Sequence, residues 1–75
     1  MTGLRWNRSR DGYTETHGGA FEICPEFEGT TRPQSWRLWH HKDGRRVDAG
    51  SHFTQRGAKD EAQRLVDLAA QQKGL

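Results

Sequence analysis

One short segment of the sequence combines an aromatic side chain with cations at alternating positions. Trp39 lies two residues after Arg37 and two before His41, and Arg46 follows across an Asp-Gly turn. In an extended strand this spacing places the side chains on one face. An indole can stack on a base while guanidinium groups neutralise phosphates, which favours nucleic-acid binding. The same residue types are enriched in protein interfaces, and an arginine that only covers an exposed ring is equally ordinary.

Histidine and cysteine offer a second kind of chemistry, but their spacing does not favour a metal site. His40 and His41 are adjacent, so on a strand they point to opposite faces and do not chelate one ion together. Cys24 stands before Pro25 in a predicted strand, where no helix N-terminus activates the thiol. The sequence therefore predicts no metal, no cofactor and no enzymatic activity.

Asp43-Gly44 is the strongest hairpin signal, because both central residues of a type I′ turn need a positive φ. The predicted pairs, from the turn outward, are Lys42 with Arg45, His41 with Arg46, His40 with Val47, Trp39 with Asp48, Leu38 with Ala49 and Trp36 with Ser51. One face, which leads on to Phe53, is the predicted core face and carries Trp36, Leu38, His40, Val47 and Ala49. The open face carries Arg37, Trp39, His41, Arg46 and Asp48. A slip of one residue would exchange the two sets.

Further strands precede this hairpin. Alternation and turn residues predict strands over Leu4–Arg8, Tyr13–His17 and Ala20–Phe27, separated by turns at Arg10–Gly12 and Gly18-Gly19. Alternation predicts Leu4 and Trp6 on one face of the first strand, and Phe21 and Ile23 on one face of the third with Glu22 and Cys24 on the other. Pro25 has no N–H, so it ends the pairing or marks an edge or bulge. Glu22, Glu26 and Glu28 are interpreted as solvating a strand edge.

A helix follows the last strand. Thr54 is a candidate N-cap, with Phe53 and Ala58 at hydrophobic-staple positions, and Gly74 is a candidate stop. Helical spacing gives one apolar stripe of Ala58, Ala62, Leu65, Val66 and Ala69, with Asp60 and Arg64 as an i,i+4 pair on the solvent side. The expected fold is α+β: an antiparallel meander of four to five strands with one C-terminal helix packed on one face. Residues 1–75 form a single domain, with the sheet over about 3–52 and the helix over about 55–72.

Composition fits a small aromatic-rich domain. Hydrophobic residues make up 31% of the 75 residues, and three tryptophans and three phenylalanines supply much of the apolar area. The formal net charge of +2 is only mildly basic. A single cysteine fits a reducing compartment, and no apolar run suggests a membrane span or a leader, so we expect a cytoplasmic protein without a membrane partner.

The second half of the chain resembles the three-stranded, single-helix DNA-binding domains at the N-terminus of tyrosine recombinases, to which AP2-type domains look related. The shared features are a Trp-led strand, a basic Asp-Gly turn, a Phe-Thr strand end and an Ala-Lys-x-Glu-Ala helix. Here they are Trp36, Asp43-Gly44-Arg45-Arg46, Phe53-Thr54 and Ala58–Ala62. That family places its sheet in the major groove, so the resemblance implies a DNA-facing set of Arg37, Trp39, His41 and Arg46. This chain differs in its extra N-terminal strands and its less basic sheet.

The whole chain also resembles small stand-alone proteins of actinobacterial phages and their hosts. The shared pattern is Trp6, Gly12-Tyr13, Gly19–Ile23, Trp36–Leu38, Phe53–Gln55 and Ala58-Lys59. This likeness implies a phage or host origin and no particular activity.

Two hypotheses follow for the open face. One is DNA binding, in which a basic run of Arg5, Arg8 and Arg10 could add an arm, although ordinary strand surface also explains that run. The other is a phage-type accessory protein that binds a host protein, or itself as a homodimer, through the same face. The candidate binding residues are Arg37, Trp39, His41, Arg46 and Arg5.

Overall fold

A computed structural model describes residues 3–7, 13–29 and 31–73 of the chain. Its antiparallel strands form a meander in the order β1-β2-β3-β4, and one helix packs against the sheet, so the expected α+β fold is confirmed. The elements are β1 (Thr14–Glu15), β2 (Phe21–Glu26), β3 (Ser35–Lys42), β4 (Arg45–His52) and α1 (Gln55–Lys73).

In its described part, residues 4–7, the predicted first strand forms a β-bridge to the segment after β1. Trp6 pairs with Thr16, and the Asn7 amide donates to the Glu15 carbonyl at 2.8 Å. Leu4 and Trp6 both pack against the core, so they share a face as the alternation predicts. The Leu4 amide donates to Gln63 Oε1 at 2.7 Å, which ties this segment to the helix. Arg8, the turn at Arg10–Gly12 and the stop at Gly74 lie outside the described residues.

β2 is the most deeply buried strand. Phe21 and Ile23 are buried on the helix side, while Glu22 and Cys24 lie on the other side, as predicted. Pairing with β3 continues through Pro25, opposite Trp36, so the proline does not end that ladder. The His41 amide donates to the Ala20 carbonyl at 2.8 Å, which assigns the even-numbered residues of β2 to the bonds with β3. The Pro25 nitrogen therefore points away from β3.

The β3–β4 hairpin follows the predicted register near its turn. Asp43 and Gly44 have φ of 53° and 74°, as a type I′ turn requires. The four pairs nearest the turn are confirmed: Lys42–Arg45, His41–Arg46, His40–Val47 and Trp39–Asp48.

The register beyond Asp48 differs from the prediction by one residue. Trp36 pairs with His52 and not with Ser51, because β4 contains one extra residue. Ala49 and Gly50 together lie opposite Leu38, which is the arrangement of a β-bulge. Gly50 has a φ of 101°, a conformation that a residue with a Cβ rarely adopts.

The bulge reverses the alternation for the residues that follow it. Phe53 is 90% exposed, so its predicted place on the core face and in a hydrophobic staple with Ala58 is wrong. Val47, which precedes the bulge, does lie on the helix side by register but remains 48% exposed.

The helix begins as the sequence predicts. The Thr54 hydroxyl accepts a hydrogen bond from the Gly57 amide at 2.9 Å, which satisfies one of the free amides at the helix start. Ala58 and Ala62 are fully buried against Phe21, Ile23 and Leu38, and the larger side chains that surround this cluster are Leu4, Trp6, Trp36, Leu65 and Val66.

The predicted ion pair on the solvent side of the helix is wrong in its partner. Arg64 binds Glu61 through two contacts of 2.6 and 2.7 Å, one turn away at i−3, and not Asp60. Both spacings bring side chains together on a helix surface, so the sequence alone did not select between them.

Candidate interaction surface

The sheet side away from α1, called the outer face below, carries Trp39 near its middle. The indole is half-buried. The guanidinium carbon of Arg46 lies 4.1 Å from the ring centroid, so the arginine covers the aromatic surface from the neighbouring strand. This is cation–π geometry.

Arg37 is held between two carboxylates. Its Nε donates to Glu26 Oε2 at 3.0 Å on one side, and its Nη1 donates to Asp48 Oδ2 at 2.5 Å on the other. These contacts raise the pKa of Arg37, the bond to Asp48 contributing most. The pKa of Asp48 is lowered, first by the Gly50 amide that donates to it at 2.8 Å and then by Arg37. Arg37 on β3 therefore links Glu26 on β2 to Asp48 on β4 across the outer face.

Glu26, on β2, accepts hydrogen bonds from side chains of both β3 and β4. The hydroxyls of Ser51 and Ser35 donate to Oε1 at 2.6 and 2.9 Å, while Arg37 occupies Oε2. The bond from Ser51, followed by those from Ser35 and Arg37, lowers the pKa of Glu26. Three hydrogen-bond donors thus stabilise the ionised form of the Glu26 carboxylate.

Glu22 organises the other end of the outer face. Its Oε1 lies 3.2 Å from His41 Nε2 and 3.9 Å from Arg46 Nη1, and its Oε2 accepts from the Cys24 thiol at 3.2 Å. Burial alone would raise the pKa of Glu22, but the bonds from Cys24 and His41 and the charge of Arg46 together lower it. Burial, reinforced by the bond to Glu22, raises the pKa of Cys24 to about 11. Cys24 is therefore a protonated thiol near neutral pH.

The outer face between β2 and β4 therefore carries carboxylates beside its basic groups. The guanidinium groups are those of Arg37 and Arg46, the imidazole is that of His41, and the carboxylates are those of Glu22, Glu26 and Asp48. Alternation predicted the outer face for Arg37, His41, Arg46 and Asp48, whereas Glu22 and Glu26 were interpreted as solvating a strand edge. The sequence signal for these two glutamates is that they alternate with the buried Phe21 and Ile23 in a strand that pairs on both sides.

The predicted site residues do not all come together. Arg37, Trp39, His41 and Arg46 are neighbours on β3 and β4. Arg5 belongs to the bridged segment, whose carbonyl at Arg5 accepts from the His17 amide at 3.0 Å, so β1 and β2 separate it from Trp39. Arg8 and Arg10 lie outside the described residues.

The tip of the β3–β4 hairpin holds a second group of cations. Lys42 and Arg45 are exposed and pair across the turn. Among the residues that the structure describes, neither has a carboxylate within salt-bridge distance.

A largely apolar cleft of about 290 Å³ opens on the helix side of the sheet, and sequence analysis did not predict it. Phe21 and His40 form its floor, with their rings stacked at 4.4 Å between centroids. Its helical wall consists of Leu65, Val66, Ala69 and Ala70. The sequence signal for this cleft is the pair of short side chains at the end of the apolar stripe, Ala69 and Ala70. They are too small to fill the space above Phe21 and His40.

Over residues 3–7, 13–29 and 31–73, no three His, Cys, Asp or Glu side chains are placed to hold a metal ion. Within the same ranges the helix is not apolar enough to cross a membrane. No family model, curated protein or solved structure matches the chain.

Proposed function

We propose that this chain is a non-enzymatic binding protein that recognises another protein through its outer face, with Trp39 at the centre of the contact. The observation that carries this proposal is the pairing of the outer-face cations with carboxylates. Arg37 contacts both Glu26 and Asp48, and Arg46 and His41 share Glu22.

A phosphate backbone fits such a face poorly. Binding to nucleic acid draws on cations that are free to replace counterions at the phosphates. On the outer face an approaching phosphate would meet three carboxylates, and Arg37 would have to abandon two of them. A protein partner can instead present its own mixture of charged and apolar groups.

Trp39 and Arg46 have the chemistry of an interface anchor. Trp and Arg are the residues most enriched among those that dominate binding energy, particularly where surrounding groups exclude water. Trp39 is already half-buried and covered by Arg46, so a partner that completes its desolvation pays little ordering entropy. The likeness to small phage proteins supports a bacterial host protein as the partner.

The test is a pull-down with tagged protein from an actinobacterial lysate, treated with nuclease. We expect one protein in stoichiometric amount, lost with Trp39→Ala and retained with Leu68→Ala, which removes an exposed apolar side chain on the helix. Thermal unfolding of both variants confirms that each is folded. Recovery that depends on nucleic acid, or that survives Trp39→Ala, would contradict the proposal.

DNA binding is a second candidate, favoured by the hairpin tip and by the likeness to recombinase domains. Lys42 and Arg45 are exposed there, without a carboxylate partner in the described part of the chain, and Arg46 follows them. A two-stranded ribbon of this kind can enter the major groove. If it does, affinity for duplex DNA falls with salt at a log–log slope of about −3 to −5. The double variant Lys42→Gln/Arg45→Gln would reduce that slope by about 2, and Arg56→Gln on the helix would not.

A further inference from the structure

β4 forms one edge of the sheet and is long for an edge strand. It spans Arg45–His52, pairs with β3 on one side, and has no partner on its other side among the described residues. Its first four residues, 45–48, are all exposed. Unpaired edges of this kind are templates for the addition of another strand.

The backbone groups that face outward can be assigned. The His41 amide bonds to Ala20 on β2, so the neighbouring Lys42 and His40 direct their backbone groups to β4. Their partners, Arg45 and Val47, are therefore satisfied by β3. It follows that the amide and carbonyl of Arg46 and of Asp48 point away from the sheet.

We propose that a second copy of this chain pairs with β4 in antiparallel orientation, about a two-fold axis at Val47. Arg46 then lies opposite Asp48 of the second copy, and the reverse pair forms on the other side of the axis. Both are hydrogen-bonded positions, so the outward groups of Arg46 and Asp48 are satisfied in both copies. The two Val47 side chains meet at the close, non-hydrogen-bonded position.

Charge selects this register over its neighbours. An axis at Arg46 would oppose two arginines, and an axis at Asp48 would oppose two carboxylates, both of which are unfavourable across a strand pair. An axis at Ala49 would fall on the bulge, where the extra residue Gly50 disrupts a ladder. Only the Val47 axis brings opposite charges together and ends the pairing before the bulge.

The apolar surface on the helix side supports the same axis. Val47 is 48% exposed, and its cross-strand neighbour His40 is on the floor of the cleft. Pairing the two Val47 side chains covers apolar surface beside the cleft, and both helices then lie on one face of an eight-stranded sheet. Trp39 remains on the opposite face and stays open to the proposed protein partner, and the two interfaces have Arg46 and Asp48 of the outer face in common.

A charge exchange tests the dimer. We expect sedimentation velocity to show a concentration-dependent dimer for the natural sequence. Arg46→Glu would place carboxylates opposite each other in both cross-strand pairs, and Asp48→Lys would place cations opposite each other in both. Each variant should therefore weaken its own homodimer at least about tenfold. An equimolar mixture of the two variants restores both opposite-charge pairs and should form a heterodimer, seen by native mass spectrometry. The double variant Arg46→Glu/Asp48→Lys should again form a homodimer.

Controls separate the pairing from a change in net charge or in folding. Arg56→Glu and Asp60→Lys make the same charge changes at exposed helix positions and should leave the dimer intact. If Asp48→Lys fails to fold because Arg37 loses a partner, Arg46→Pro replaces it. Among the backbone hydrogen-bonding groups, a proline there removes only an outward N–H; it also removes the side chain that would face Asp48 of the second copy, so it should abolish the dimer, whereas Arg46→Lys should retain it. A monomer at every concentration, a dimer insensitive to these variants, or folded variants that do not recombine would overturn the proposal.

Discussion

The hydroxyl of Ser51 on β4 donates to the carboxylate of Glu26 on β2 at 2.6 Å, although β3 lies between the two strands. The bond spans β3, whose Arg37 itself contacts Glu26 and Asp48. The edge strand β4 is thereby connected to β2 by side chains, in addition to its backbone ladder with β3. Ser51 reaches this position only because the bulge turns it to the outer face.

Glu26 should make stability depend on pH. Its pKa is lowered in the folded chain by Ser51, Ser35 and Arg37. A carboxyl group of this kind stabilises above its unfolded pKa, about 4.3, and its contribution is lost as the pH falls through the lower folded value. We expect the melting temperature to fall between about pH 5 and pH 3. Glu26→Gln should lose about 1 kcal/mol at pH 7 and show a smaller fall on acidification.

Glu28→Gln is the matched control for that measurement, since Glu28 is an exposed residue that follows the end of β2. It should reproduce the melting temperatures of the natural sequence across the range. An acid response of Glu26→Gln as large as that of the natural chain would show that other carboxylates, such as Asp48, dominate.

Gly50 should be required for the bulge. Its φ of 101° strains any L-residue, while the nearest atom to an added Cβ, His52 Nε2 at 3.7 Å, is at ordinary contact distance. Gly50→Ala should therefore lower stability by about 1–2 kcal/mol through backbone strain and not through a clash. The chain is short enough for chemical synthesis, so D-alanine can be placed at residue 50. The D-residue favours positive φ and should restore most of the loss in urea unfolding.

The two phenylalanines Phe21 and Phe53 should respond very differently to truncation. Phe21 is 1% exposed and Phe53 is 90% exposed. We expect Phe21→Ala to cost about 3–5 kcal/mol, which would leave a domain of this size largely unfolded. Phe53→Ala should change stability by less than about 0.5 kcal/mol. Chemical denaturation of both variants checks this, and a large loss with Phe53→Ala would indicate that the strand continues onto the core face after all.

Cys24 should be slow to alkylate. Burial, together with the bond to Glu22, raises the pKa of its thiol to about 11, and the thiolate is the reactive form. At pH 8 the reaction with iodoacetamide should be much slower than for a free thiol, and it should accelerate toward pH 11. Glu22→Gln removes a charge that raises this pKa and should speed the reaction at pH 8. Mass spectrometry follows the rate, with Asp60→Asn as the control; labelling at the rate of a free thiol would contradict the assignment.

The hairpin and the helix could be predicted because their signals are local. Asp43-Gly44 requires a type I′ turn, and the stripe from Ala58 to Val66 repeats at helical spacing. The predicted register is wrong beyond Gly50 because a glycine can also occur in a regular strand. Alternation alone therefore predicts no bulge there. Phe53 was then placed on the wrong face by the same one-residue error.

The site was harder to predict because its electrostatics depend on contacts between strands. Alternation along β3 and β4 identified Trp39 and its cationic neighbours. Glu22 and Glu26 come from β2, and their pairing with Arg37 and His41 depends on the β2–β3 register, for which the sequence has no turn of fixed length. The cleft depends on how far α1 extends past Phe21, which no local pattern specifies.

The pairing of charges on the outer face also has a kinetic consequence. Because Glu22, Glu26 and Asp48 offset the charges of Arg37 and Arg46, the outer face projects little electric field into solution and would not steer the proposed partner toward it. Association would then proceed at the unsteered rate of about 10⁵–10⁶ M⁻¹s⁻¹ and change little with ionic strength. For the proposed complex, the lifetime, set by how well the partner encloses Trp39, would then decide the affinity.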